Sequence, residues 1–540
     1  MVKIRDSARE ASSREREMLR LTAAASDRSR ALFERFLSCV TKIEILDSLN
    51  LDDPASTAER AALEDRKARA LERLEKRAKV GVAEALANLR MRLTQAHPEC
   101  VRHLPKAELR ASGPSYARLA WLISTTASGQ NTFPQALRHC LDAGAQWYAE
   151  SLIMLCVTPQ ESHRLAVAGR TSHTRNEFGS TKFRWIATLV ADGVDAWASA
   201  TGGPAAQYLG GGRTSALARL IDGADPWLHD ADVVGSLHPV VRDALTAKHH
   251  DTSHLESLLE SNEPELYPLV SSDGGARVGN ATAFVFSLDL TLFSAIRSTL
   301  GSDAQGEAFE FLCAFICRRI GPRDAKIHQD SLVVDKKGML KGDEVDVHIA
   351  GAFVDIVLEC KSYLPARDSA AAANSFLNDL QAAHKQVDRR VTRLRNGAWI
   401  RDRQGGSEDA AAGLVVSLHD YSGEAWNVRA LAEDGDVAFT ALPVQSFTMV
   451  IGAMKSTAEL REFLKLRQAL IDIEAMGGDE LEYLLAWLDG WTPDSLPDAT
   501  GKVVQFRPYT VPMSTLIEAE YINRNAWRSL LESSRYPVHP

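Results

Sequence analysis

The chain has 540 residues, 45% of them hydrophobic, and a formal net charge of −9, which is enough for two or three domains with cores of their own. No stretch approaches the ~20 uninterrupted apolar residues that a membrane-spanning helix needs, and the opening MVKIRDSAREASSREREMLR lacks an apolar segment followed by a small-residue cleavage site. The expectation is therefore a cytoplasmic protein with no membrane segment, and the seven scattered cysteines, with no Cys-x-x-Cys pair among them, argue against disulfides and structural zinc.

Residues 1–112 are rich in Ala, Leu, Arg and Glu and poor in aromatics, the composition of long exposed helices. Within Ser56–Gln95, Ala62, Leu63, Ala70, Leu71, Leu74, Ala78 and Val80 form an apolar stripe among closely mixed charges. This suits a helical hairpin or coiled coil. Such an arm would serve self-association or a protein partner, and a helical pair packed on its own chain fits the same pattern. Its basic residues are balanced by acids, so it does not read as a nucleic-acid arm.

Residues 113–300 are more aromatic and less charged. DAGAQW at 142–147, DGVDAW at 192–197 and DGADPW at 222–227 form a faint repeat, each after an apolar helical run. A helix ending in Gly223-Ala224-Asp225-Pro226 resembles the loop of ankyrin repeats, although the copies are irregularly spaced and the Thr-Pro-Leu-His signature is missing. An α-helical, degenerate repeat domain is expected, with a surface suited to binding protein. His249, His250 and His254 offer two ligands at helical spacing but no acidic or thiol partner, and read as a surface loop.

Residues 301–455 carry the chemistry. GEAFEFLCAFICRRI at 306–320 has Phe309, Leu312, Phe315, Ile316 and Ile320 at helical spacing and is stopped by Gly321-Pro322. Cys313 and Cys317, one turn apart in it, read as small core residues. A strand over 326–335 follows, and then a β-hairpin: Val345, Val347 and Ile349 alternate with Glu344, Asp346 and His348, and the run Phe353–Tyr363 alternates in the same way. Alternation brings Glu359 and Lys361 out on one side with Asp346 beside them, while Cys360 points away. Two carboxylates sharing a half-buried sheet repel each other unless a cation lies between them, and oxygen ligands favour Mg²⁺ or Mn²⁺ over zinc. The same charges would also suit the solvent face of an amphipathic hairpin. A long helix over 369–395, a returning strand over 413–419 and a further strand and turn within 436–450 complete this part.

Asp346…Glu359-Cys360-Lys361 resembles the PD-(D/E)XK nuclease superfamily, with Val345 in place of the name motif's Pro. The nearest likeness is to Mrr-like restriction nucleases. The resemblance covers about residues 300–455 and implies an α/β restriction-endonuclease-like domain with an αβββαβ core. It implies that Asp346, Glu359 and the Cys360 carbonyl hold Mg²⁺ or Mn²⁺, and that Lys361 is the signature lysine. It further implies that Glu310 is the acid of the first helix, with Glu307 as its alternative, and that Gln386 is the glutamine many relatives place near the site; an exposed amide fits Gln386 equally.

Bases gather around this motif, among them Lys341 and, at four-residue steps on the following helix, Lys385, Arg389 and Arg393. That spacing suits the tracking of phosphates, or a solvated helix face. Residues 456–540 read as a C-terminal helical extension, its first helix opened by Ser456 with Glu459 three residues on. The expectation is a multidomain chain: a helical arm at 1–112, a helical domain at 113–300, a nuclease domain at 301–455 and the extension at 456–540. The expected activity is metal-dependent endonucleolytic hydrolysis of DNA, by analogy that of a prokaryotic restriction or anti-phage defence effector. The alternatives are an RNA-cleaving nuclease and a non-catalytic nucleic-acid-binding or scaffold protein with the same fold.

Overall fold

The computed structural model describes residues 12, 15–16, 18–49, 54–103, 119–158, 184–215, 237–260, 263–272, 275–278, 288–334, 344–352, 354–364, 369–400, 411–418, 439–473, 475–476, 480–496, 504–505 and 527–533. These are mostly helical, with a mixed sheet in the C-terminal half. The chain forms two compact units, one of Met1–Glu108, Leu122–Leu165 and His249–Leu259, the other of Leu109–Trp121, Ala166–Lys248 and Glu260–Pro540. They cut across the four segments expected from composition.

The first unit is built on α1 (Asp27–Leu49), α2 (Pro54–Gln95) and α3 (Pro134–Val157). Helix α2 buries Leu63, Leu74, Ala78, Gly81, Ala85, Leu89 and Leu93, a stripe at steps of three and four that faces one way along the helix. Phe33 of α1 and Ala149, Ile153 and Val157 of α3 close over Leu74 and Ala78. The stripe is thus buried against this chain's own helices. Val80, expected in it, is 48% exposed, because the heptad-like reading drifts by one position and Gly81 takes the inward place. DAGAQW at 142–147 lies inside α3, so it makes no interhelical turn. His249 and His254 are exposed and His250 is half-buried, and the His250 amide donates to the Thr125 carbonyl at 2.8 Å.

The second unit contains α4 (Arg184–Thr201), which holds DGVDAW at 192–197 in its interior, whereas 222–227 lies outside the described residues. Then come α5 (Leu288–Leu300), α6 (Ser302–Ile320), β1 (Lys326–Val334), β2 (Glu344–Ala350), β3 (Asp355–Lys361), α7 (Ser369–Arg395), β4 (Trp399–Ile400), β5 (Ala411–Ser417) and β6 (Ala441–Pro443). Four helices follow: α8 (Val444–Ala453), α9 (Thr457–Asp472), α10 (Glu480–Leu488) and α11 (Trp527–Ser533). Of the described residues in the strand and turn expected at 436–450, Ala441–Pro443 are strand, and α8 takes over at Val444.

The sheet runs β4–β1–β2–β3–β5–β6, antiparallel up to β3 and parallel from β3 to β6. A parallel β3/β5 pair needs a crossover, and α7 supplies it. One face packs on α7 through Val357, Val415, Leu380, Val387 and Val391. The other packs on α6 through Val347, Ile356, Leu358, Phe309 and Leu312, in a cluster that extends to α4, α5 and α8–α11. Segments 301–455 and 456–540 therefore share one core. At Gly413 of β5 a Cβ would lie 2.2 Å from Val387 Cγ1 and 3.0 Å from Phe439 Cδ1; the missing side chain lets α7 approach the sheet. Helix α9 starts at Ser456, whose side chain accepts the Glu459 amide at 3.2 Å. The Glu459 carboxylate takes the Lys455 amide and the Arg528 guanidinium.

Candidate functional site

Strand β3 is buried along its length except at Lys361, so the charges in it must be met inside the protein. At one end Asp355 and His348 of β2 meet each other, Nε2 to Oδ1 at 2.8 Å, and His348 stacks on His328 of β1. At the other end lies Glu359, 2% exposed.

Register aligns the acids. Val347 faces Leu358 and Ile349 faces Ile356, so Asp346 falls opposite Glu359. Gln329 faces Val347 and Ser331 faces Val345, so Asp330 falls opposite Asp346. Asp330, Asp346 and Glu359 thus form a row across three adjacent strands. Asp330 has φ 51°, a left-handed backbone that costs an L-residue about 1–2 kcal/mol and that Asp tolerates better than most.

The carboxylates are held differently. Asp346 Oδ2 accepts the Cys360 amide at 2.7 Å, while the Cys360 side chain enters the core beneath α6. Glu359 Oε1 takes Lys361 Nζ at 2.5 Å, and its Oε2 takes the guanidinium of buried Arg390. Lys361 Nζ also reaches Gln386 Oε1 at 3.1 Å. The Gln305 side chain of α6 donates to the Ser362 carbonyl just beyond.

Electrostatics mark the same spot. Burial, then the charge of Glu359, pushes the Asp346 carboxyl up to about 6, against the pull of the Cys360 amide, Arg390 and Lys361. Burial, then Asp346 and more weakly Asp330 and Glu359, raises Glu310 of α6 to about 7. Burial lowers the affinity of Lys361 for its proton, but Glu359 and Asp346 outweigh it and its pKa is raised.

Asp346, Glu359, Lys361, Gln386 and Glu310 are thereby brought together, whereas Glu307 is exposed and Lys341 lies outside the described residues. Lys385, Arg389 and Arg393 are exposed along α7, one residue round the helix from the row that faces the site. Sequence reasoning gave no site role to Arg390, Asp330 or Asp379, whose carboxyl feels Lys361. The signal was available: once Gln386 faces the site, positions seven before and four after share its face.

A hard divalent cation suits this donor set, since burial and mutual repulsion raise the pKa of both half-buried carboxyls. As placed, however, no three His, Cys, Asp or Glu side chains among the described residues converge tightly enough to hold a metal. Lys361 and Arg390 each take one oxygen of Glu359, so a metal there would use a remaining lone pair or displace one of them. Scanned against family models and compared with curated proteins and with solved structures, the chain gives no match.

Proposed function

We propose that this protein is a metal-dependent nuclease that hydrolyses phosphodiester bonds, with DNA as the substrate and the site at Asp346, Glu359, Lys361, Glu310 and Gln386. The observation that carries the reading is the row of carboxylates beside a lysine at the end of a buried strand, with Asp346 and Glu310 raised by burial and repulsion. Perturbed acids of this kind concentrate at catalytic centres. The order α6–β1–β2–β3–α7–β4–β5 supports it, since apart from the two-residue β4 it follows the αβββαβ order the resemblance implies.

Asp346, Glu359 and the Cys360 carbonyl would hold Mg²⁺ or Mn²⁺, which would neutralise and polarise a phosphate ester. Lys361, kept protonated by Glu359, supplies positive charge where a phosphate gathers negative charge during attack. Gln386 fixes the ammonium from the α7 side. Glu310, half protonated near neutrality, can accept or return a proton at its carboxyl. Lys385, Arg389 and Arg393, exposed along α7, would meet the phosphates of a nucleic acid entering the site.

One observation favours a second reading, a non-catalytic nucleic-acid-binding protein: Arg390 and Lys361 already neutralise Glu359 without a metal. Incubating plasmid and linear DNA with purified protein and Mg²⁺ or Mn²⁺, against EDTA and against Lys361→Ala, separates the two. Metal-dependent cutting lost in the variant supports the nuclease; no cutting with either metal supports the second reading. RNA in a parallel arm tests substrate choice.

A further inference from the structure

We infer that the second unit carries a separate binding site for a small phosphate-bearing molecule of nucleotide size, in the cavity between the C-terminal end of α6, the start of β1, the end of α8 and α11. This cavity has a volume of about 1010 Å³, at the upper end of the ~300–1,000 Å³ usual for small-ligand sites. Its wall carries Arg318, Arg319, Arg323, Lys455 and Arg528, with no acidic side chain among the described residues that line it. Ile327 and Met454 give it an apolar floor, as a ring system beside a phosphate would require.

Among the described residues only part of this charge is met. Glu459 neutralises Arg528 at 2.6 Å, and Arg318 shares its fork with the Gln329 side-chain oxygen at 3.1 Å. Among the described residues no carboxylate pairs with Arg318, Arg319 or Arg323. The neighbouring acid, Asp324, accepts the amide and hydroxyl of Thr457 at the start of α9. Complementing the α6 dipole accounts for only about half a unit charge at its C-terminus. At least two arginines remain on a concave surface of a protein whose net charge is −9; the ligand that fits is an anion, and guanidinium forks match phosphate oxygens in pairs.

The cavity is distinct from the candidate catalytic site. Arg318 lies eight residues beyond Glu310, about 12 Å along the axis at ~1.5 Å per residue. Ile327 packs on the α6 face of the sheet, at the β2–β3 end away from Glu359, whereas Arg390 and Gln386 reach the acids from α7. The site would therefore hold its ligand whether or not the nuclease reading stands.

The test is a titration of the full chain with ATP in EDTA, repeated on the Arg319→Ala/Arg323→Ala double variant and on Lys361→Ala. The same three proteins are titrated with a short single-stranded DNA. Both arginines are exposed, and circular dichroism checks that the double variant keeps its fold. The expected result is saturable ATP binding that weakens roughly ten- to hundredfold in the double variant, in line with loss of charge-assisted hydrogen bonds. Lys361→Ala should leave ATP binding, and the double variant DNA binding, unchanged. Absence of saturable ATP binding, equal binding by the double variant, or a loss shared with Lys361→Ala would overturn the inference. A double variant that loses DNA rather than ATP would assign the cavity to nucleic-acid backbone and overturn it as well.

Discussion

Replacing Asp346 by Asn should stabilise the protein at neutral pH and leave its stability unchanged in acid. In the unfolded chain an Asp ionises near its ordinary 3.8, whereas in the fold Asp346 ionises at about 6. The native state therefore holds the proton more tightly, and stability falls as pH rises from about 4 to about 6. Below that window both states are protonated and nothing is lost; above it the loss is complete. The gap of about two units, at ~1.36 kcal/mol each, is roughly 3 kcal/mol at most, since Asp346, Glu359 and Glu310 share one repulsion. Asn keeps an oxygen for the Cys360 amide and removes the charge. Unfolding midpoints of the second unit, measured near pH 4 and near pH 7.5, should coincide at the lower value, and the variant should be higher by ~1–3 kcal/mol at the upper. Saturating Mg²⁺ should then raise the wild type and not the variant, by about 2.7 kcal/mol at a hundredfold excess over Kd. A variant less stable at pH 7.5, or shifted equally at both values, would refute the electrostatic account.

Lys361→Ala should cut metal-dependent cleavage by about 10²–10³ with an unchanged circular dichroism spectrum; undiminished cutting would move the chemistry elsewhere. Arg390→Met strands Glu359 with one cation and should cost about 3–5 kcal/mol in EDTA, part of it recovered with Mg²⁺; denaturant unfolding with and without metal reads both. Arg389→Ala with Arg393→Ala should weaken DNA binding evenly across sequences and flatten its salt dependence by about one unit per cation, and an unaltered slope would make this a solvated face. Gly413→Ala forces a methyl into Val387 and should cost about 1–3 kcal/mol, measured by urea unfolding.

Periodicity revealed the elements that position the site because each has a clean signal: a 3.6-residue stripe in α6, strict alternation in β2, and the Ser456 cap of α9. It handled α8 poorly, because α8 is buried nearly all round and a continuous apolar run carries no period. Asp346, Glu359 and Lys361 were legible since charges inside β-like runs are expensive and so draw attention. Asp330 was not: within the strand expected at 326–335 nothing singled it out until the register set it opposite Asp346. Arg390 falls outside the four-residue spacing of Lys385, Arg389 and Arg393, and only the direction in which α7 meets the sheet separates it from Arg389. DGVDAW failed as a turn because Gly193 sits against Leu312 and Phe315, a packing role that a repeat pattern does not reveal. Burial of the α2 stripe by α1 and α3 was likewise beyond sequence, since a stripe does not say whose surface covers it.

A purely structural row of charges would be expected to end with every group satisfied. His348–Asp355 and Arg467–Glu480 come close to that: each pair is buried, at 2.8 and 2.7 Å, and the Arg467 guanidinium stacks on Tyr483. The other end of β3 does not. Burial and the negative charges beside them raise Asp346 and Glu310, and Asp330 holds a left-handed backbone in the same row. Strain and unmet electrostatic demand in one row cost several kcal/mol by order of magnitude, and apolar residues on the same strands would avoid it. That cost is recoverable only by something that binds there. The net sign of what is missing is positive, since each raised carboxyl would be lowered by a cation. Arg390 covers one oxygen of Glu359 from the protein's side, and the remaining demand, on Asp346 and Glu310, is one that the metal ion of the proposed nuclease would meet.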